Sequence, residues 1–141
     1  MTRDEIIAFS ARRQDAFTRL DAAMLARLHA EDGVLESPFA GGKAVGREAI
    51  EKVYRAFFTA FPTATFEQER LLIDGQTTAL LWHIHGTNSG EVMGLPPTER
   101  PFSIAMVSLC ELHEGFIARE RRIYDFTGLL LQVGALKAKP I

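Results

Sequence analysis

The sequence predicts an α+β roll, and three observations carry that expectation. Apolar residues recur at helical spacing through about residue 61; beyond Pro62 the spacing changes to alternation; and turn signals divide the alternating part into four runs that read as an antiparallel meander. Amphipathic helices and a half-apolar sheet bury their apolar faces against each other, so the helices should close one side of the sheet and leave a pocket between the two layers.

Each element has its own justification. Phe17, Leu20, Met24, Leu25 and Leu28 lie on one helical stripe, which predicts a helix from about Arg3 to Ala30. "GVLESPF" (33–39) is a short extended piece closed by Pro38, and the glycines of "AGGKAVG" (40–46) mark a loop. Ile50, Val53, Tyr54, Phe57, Phe58 and Phe61 form the thick aromatic stripe of a second helix, which Pro62 ends by denying it the next N–H donor. Strands are expected at about 65–73, 77–86, 102–112 and 116–125, separated by Asp74-Gly75, a long excursion through Pro96-Pro97, and Glu114-Gly115. A two-residue turn at Glu114-Gly115 sets His113 opposite Phe116 and, by simple counting, Arg121 opposite Ser108, Ile123 opposite Met106 and Asp125 opposite Ile104. On that register Asp125, Arg119, Arg121 and Ile123 point inward with Ile104, Met106, Ser108 and Cys110, while Glu120, Arg122 and Tyr124 face solvent.

Composition narrows the function classes. The 141 residues suit one domain, with no internal repeat or linker, and bury about two-thirds of the unfolded surface. The 16 basic and 18 acidic side chains are interspersed and leave a formal charge of −2, which disfavours nucleic-acid and membrane partners. Cys110 is the sole cysteine, so no internal disulfide or cysteine-based zinc site is available. Met1 runs directly into Thr2-Arg3-Asp4-Glu5, and no apolar run reaches the ~18 residues of a bilayer span. A cytoplasmic protein is expected. No glycine-rich phosphate loop or sufficient metal-ligand set stands out, so no cofactor is expected.

Several residues are candidates for a site. Phe39, Tyr54, Phe57, Phe58, Trp82, Met106 and Ser108 lie on the faces that helix stripes and strand alternation aim at each other, and should wall the pocket. Trp82 reads first as core and second as cavity wall. Asp125 ends the last strand ahead of a leucine-rich segment, where a carboxylate either caps the following helix or, desolvated at a pocket rim, moves protons. Arg121 is a pocket candidate that could orient an anionic ligand group, or it pairs with Asp15 or Asp21 of the first helix. His83 and His85 share the outer face of their strand, suited to solvent, to a subunit contact or, with a third ligand the sequence does not offer, to a metal; His83 could also meet Glu67 or Glu69. His29 and His113 are expected at the surface.

The order of elements, "LLWHIHGTNSGEVMGLPPTERP" (80–101) and "FIARERRIYDFTGLLLQVG" (116–134) resemble the SnoaL-like polyketide cyclases of the nuclear-transport-factor-2-like (NTF2-like) superfamily over nearly the whole chain. The resemblance implies an NTF2-like cone-shaped roll, a fold that hosts many unrelated functions. It also implies that the residue matching Asp125 is the general acid/base of an intramolecular aldol cyclisation or isomerisation of a small apolar or polycyclic carbonyl compound. Two positions depart from the family pattern: Asn88 stands where many members have histidine, so it can hydrogen-bond a carbonyl but not shuttle protons, and Glu99 replaces the glycine after Pro-Pro-Thr. Ser37 occupies the place of the ketosteroid-isomerase aspartate, which disfavours that reaction. An epoxide-hydrolase-like Asp-Arg-Asp network could draw only on Arg121 and Asp125. The competing class is a non-catalytic ligand-binding or protein-interaction module. A homodimer through the outer sheet face is expected in either case.

Overall fold

The computed structural model describes residues 1–139. Helix α1 (Arg3–Thr18) begins at a capping box, in which the Thr2 hydroxyl accepts from Glu5 N (3.1 Å) and the Glu5 carboxylate accepts from Thr2 N (2.7 Å). The expected single helix to Ala30 is two helices. Leu20 turns into the left-handed region (φ 52°), and Asp21 restarts the chain as α2 (Ala22–Arg27) by accepting from Met24 N at 3.0 Å. The apolar period runs on across this break, because Phe17, Leu25 and Leu28 are buried on both sides of it.

Strand β1 (His29–Ser37) follows at once, then a 3-10 turn (Pro38–Ala40), β2 (Gly42–Val45), α3 (Arg47–Ala60), β3 (Thr65–Asp74), β4 (Thr77–Thr87), β5 (Pro101–His113), β6 (Phe116–Tyr124) and α4 (Phe126–Gln132). The four expected strands are present. The short piece at 33–39 belongs to a fifth, longer strand, and residues 42–45 of the expected loop form a sixth. They make one curved sheet in the order β2-β1-β6-β5-β4-β3, antiparallel except that β1 runs parallel to β6.

The register of β6 is the main correction. His113 pairs with Phe116 and Leu112 with Ile117 as the turn requires, but Glu111 then pairs with Arg119 rather than Ala118. Ala118 is therefore a bulge, and one extra residue exchanges the two faces of everything after it. Cys110 faces Glu120, Ser108 faces Arg122 and Met106 faces Tyr124. Glu120, Arg122 and Tyr124 thus point inward, while Arg119, Arg121 and Ile123 are exposed. The β4 and β5 faces follow the alternation: Trp82 is 1% and Met106 6% exposed. The main core fills the space between α1–α3 and this concave face. A smaller cluster of Ile6, Phe9, Leu28, Cys110, Leu112 and Ile117 closes the end near the β5–β6 turn.

The described residues contain no helix long and apolar enough to cross a membrane. The domain expectation runs to Pro140 and Ile141, which lie outside the described residues.

Candidate functional site

Helix α3 presents Val53, Tyr54, Phe57 and Phe58 to the concave sheet, and a narrow cavity remains between them. Phe17 and Phe39 close two sides, and Phe66, Trp82, Ile84 and Met106 form its floor. Ser37, Arg122 and Tyr124 supply its polar wall. About 20 Å³ is open to the centres of water-sized spheres, room for roughly one water. The aromatic rings pack edge to face: Phe17 stands 4.6 Å from Trp82 and Phe39 5.3 Å from Phe57.

Behind the polar wall lies a buried ionic network that is absent from the candidate residues named above. Arg13 Nη2 donates to Glu120 Oε1 (2.6 Å) and to the Tyr54 hydroxyl (3.2 Å), while Arg122 Nε donates to Glu120 Oε2 (2.9 Å). The Arg122 guanidinium also stacks 4.8 Å from the centre of the Tyr54 ring. His29 Nε2 lies 3.1 Å from the Tyr54 hydroxyl and 3.6 Å from Glu120 Oε1. Since arginine only donates, Tyr54 accepts from Arg13, and its own proton is free to go to His29 Nε2.

Burial opposes charge on Glu120, but the adjacent Arg122 and Arg13 overcome it and hold its carboxyl well below the usual range. Burial also works against both guanidiniums, yet Glu120 keeps Arg13 and Arg122 firmly protonated. Burial, aided by Arg13, Arg122 and Arg47 and opposed by Glu120, lowers His29 to about 3, so the ring is neutral. Burial and then Glu120 push the Cys110 thiol up to about 12. Burial raises Tyr54 and Tyr124 as well.

Of the candidate wall residues, Phe39, Tyr54, Phe57, Phe58, Trp82 and Met106 line the cavity. Three other pocket candidates do not. Ser108 lies under the floor, its hydroxyl accepting from Trp82 Nε1 at 3.1 Å. Asn88 is buried in a different place: its amide donates to Gly90 O (2.7 Å) and accepts from Thr98 N (3.2 Å) within the β4–β5 excursion, and Gly90 N donates to Ala60 O (3.2 Å) to tie the excursion to the end of α3. A Cβ on Gly90 would fall 1.7 Å from Thr59 O, so that approach needs glycine. Arg121 is exposed because of the Ala118 bulge and lies beside Glu36, which Arg119 also engages, rather than beside Asp15 or Asp21. Those two acids pair with Arg19.

Asp125 is exposed, not enclosed by the apolar surroundings expected of it. Its Oδ1 accepts from Gly128 N at 2.8 Å and caps α4. It stands between Tyr124, which lines the cavity, and Phe126, whose ring meets Phe39 at 6.4 Å. No hydrogen bond reaches its Oδ2 among the described residues. The expected surface position of His29 is also overturned, because β1 begins at His29 and its ring is fully buried. His113 is exposed at its turn. On the outer face, the His83 and His85 rings stack 4.5 Å apart; His83 lies 2.7 Å from Ser103 Oγ and 3.5 Å from Glu69.

Two signals could have exposed the network. Arg13 interrupts the buried stripe Ile6-Phe9-Arg13-Ala16-Phe17, which calls for an internal counter-charge. Glu120 is the only acid among the four charges of "RERR" (119–122).

Comparison with known proteins agrees with this architecture. The family model for SnoaL-like polyketide cyclase matches residues 9–133. The nogalonic acid methyl ester cyclase of Streptomyces nogalater is 32% identical over 104 residues, covering 74% of this chain and 72% of that protein. Wild-type IdmH of Streptomyces antibioticus, a candidate polyketide cyclase, is 30% identical, with a TM-score of 0.74 over 90% of this chain and 96% of that one. TsrD of Streptomyces laurentii shares the fold at a TM-score of 0.82 and 19% identity, over 96% of this chain and 99% of its own. The six-stranded curved sheet with its covering helices is the NTF2-like, ketosteroid-isomerase-like roll. With a family match across most of its length and a curated relative above 30% identity, the chain belongs to the SnoaL-like polyketide cyclase family.

Proposed function

We propose that the protein binds a small, largely apolar carbonyl compound of polyketide type in the α3–sheet cavity and closes or isomerises a ring in it by proton transfer. One observation carries this reading: the cavity is aromatic on nearly every side, while Ser37, Tyr124 and Arg122 gather on one wall, as needed to orient a carbonyl. Kinship with a nogalonic acid methyl ester cyclase supports ring closure. Asp125, one residue beyond the cavity-lining Tyr124, is the group that moves the proton, its Oδ1 held by the cap. Such a step redistributes protons without changing oxidation state, so it calls for no redox cofactor.

A second reading, a ligand-binding module without catalysis, is favoured by the exposure of Asp125 and its cap bond. Nogalonic acid methyl ester, the compound in the relative's name, is the first substrate to offer. Under the enzymatic reading Asp125→Asn keeps the cap and the fold but abolishes turnover. Asp125→Ala loses turnover and about 1 kcal/mol of stability as well. A fully active Asn variant would remove Asp125 from catalysis and leave the binding module. Either reading includes a homodimer through the outer sheet face, where Leu72, Leu109 and Ile123 are exposed.

A further inference from the structure

The ionic network behind the cavity is not electrically balanced. Arg13 and Arg122 each carry a positive charge, Glu120 supplies the one negative charge, and His29, Tyr54 and Cys110 are neutral. Glu36 does not restore the balance, although it adjoins Ser37, because it is engaged by Arg119 and Arg121 on the outer face. An excess positive charge in a low-dielectric interior is unfavourable unless an anion answers it.

The geometry shows where that anion fits. The Arg122 side chain is only 10% exposed and lines the cavity; Glu120 engages its Nε and Nη2, while Nη1 has no acceptor among the described residues. Beside it, Ser37 is 3% exposed and lines the same cavity, and its Oγ has no hydrogen-bond partner among the described residues. The Tyr124 phenol lies near Ser37 and the Phe39 backbone on the same wall. An oxygen seated there would meet donors from a guanidinium and a hydroxyl, and it would be walled by aromatic rings elsewhere.

We propose that Arg122 and Ser37 form a subsite for an oxyanion on a conjugated ring, the enolate or phenolate of the ligand, so that the protein selects the ionised form of an acidic polyketide carbonyl over its neutral form. This rests on the reading that the cavity is the ligand site. Arg122 binds the oxyanion; Arg13 and Glu120 are positioning residues that hold the guanidinium in place.

The probe is 4-nitrophenol, whose ionised form absorbs visibly, with 4-nitroanisole as its neutral methylated counterpart. Trp82, the only tryptophan and part of the cavity floor, reports occupancy through its fluorescence independently of ionisation. The expected result is that both probes quench Trp82, that bound 4-nitrophenol ionises about one pH unit or more below its free value, and that the phenolate binds about tenfold tighter than the anisole. Arg122→Met abolishes the preference, Arg122→Lys retains most of it, and Ser37→Ala weakens phenolate binding about threefold. Quenching by both probes with an unshifted or raised phenol pKa overturns the oxyanion subsite and leaves the cavity reading standing. Failure of both probes to quench Trp82 overturns both readings, and quenching by 4-nitroanisole alone overturns the oxyanion subsite. Should Arg122→Met not fold, the comparison of the two probes on the unaltered protein still decides the matter.

Discussion

His29 makes the fold sensitive to mild acid, and the size of the effect follows from its burial. The ring titrates near 6.5 in an unfolded chain and at about 3 in the folded protein, where burial and the nearby Arg13, Arg122 and Arg47 exclude the proton. A depressed folded value means that the unfolded state binds more protons at any pH between the two, so stability is full above about 6.5 and is lost progressively as pH falls toward 3. Between pH 7 and pH 5 the loss from this one group is about 2 kcal/mol, since the unfolded ring is mostly neutral at the first pH and mostly charged at the second. Carboxylates add little in that window, because they protonate in the unfolded chain only near pH 4. Urea unfolding followed by far-ultraviolet circular dichroism at pH 7, 6 and 5 measures the loss. His29→Gln offers the Tyr54 hydroxyl an amide and has no proton to take up, so its stability should change by about 2 kcal/mol less than the parent's over the same range. Parallel pH profiles for the two proteins would refute the reasoning.

Other consequences are open to equally direct measurement. Glu120→Gln removes the single negative charge between two buried guanidiniums and should cost about 3–5 kcal/mol; a urea midpoint shift worth less than about 1 kcal/mol would mean that the network contributes little. Deleting Ala118 removes the extra residue yet leaves Arg119 opposite Glu111 and Glu120 opposite Cys110, so the protein should still fold with its inward face unchanged; loss of a cooperative thermal transition would show that the bulge itself is required. Leu109→Glu places a charge in the proposed dimer face and should convert a dimer to a monomer in analytical ultracentrifugation; a monomeric parent protein would disprove that interface.

The sequence discloses those parts of the fold that depend on local spacing. The α3 stripe, the strand boundaries and the β4–β5 faces are legible because alternation there continues without interruption from turn to turn. Ala118 defeats the same logic in β6, since "IARER" contains no glycine or proline to announce an extra residue, and a single uncounted position exchanges Arg121 for Arg122 at the cavity. Leu20 conceals the break between α1 and α2 because a leucine in a left-handed conformation leaves no trace in an apolar period. The parallel pairing of β1 with β6 joins segments some ninety residues apart, beyond the reach of any local pattern, and it is this pairing that brings His29 and Ser37 to the site. Asp125 was visible as a candidate in either of its two roles, and its cap bond is the one that geometry displays.

The tightness of the cavity governs how ligand recognition must proceed. A space that admits one water cannot accept a ring while Phe39 keeps its contacts with Phe57, Phe61 and Phe126, so those contacts have to loosen before anything aromatic enters. Apparent affinity is then the intrinsic affinity multiplied by the fraction of molecules already open, and an opening that costs about 1.4 kcal/mol weakens binding tenfold. Where opening is the slow step, the observed association rate levels off with ligand concentration at the rate of aromatic rearrangement. Substitutions that trim Phe39 or Phe126 would then quicken entry and tighten binding together.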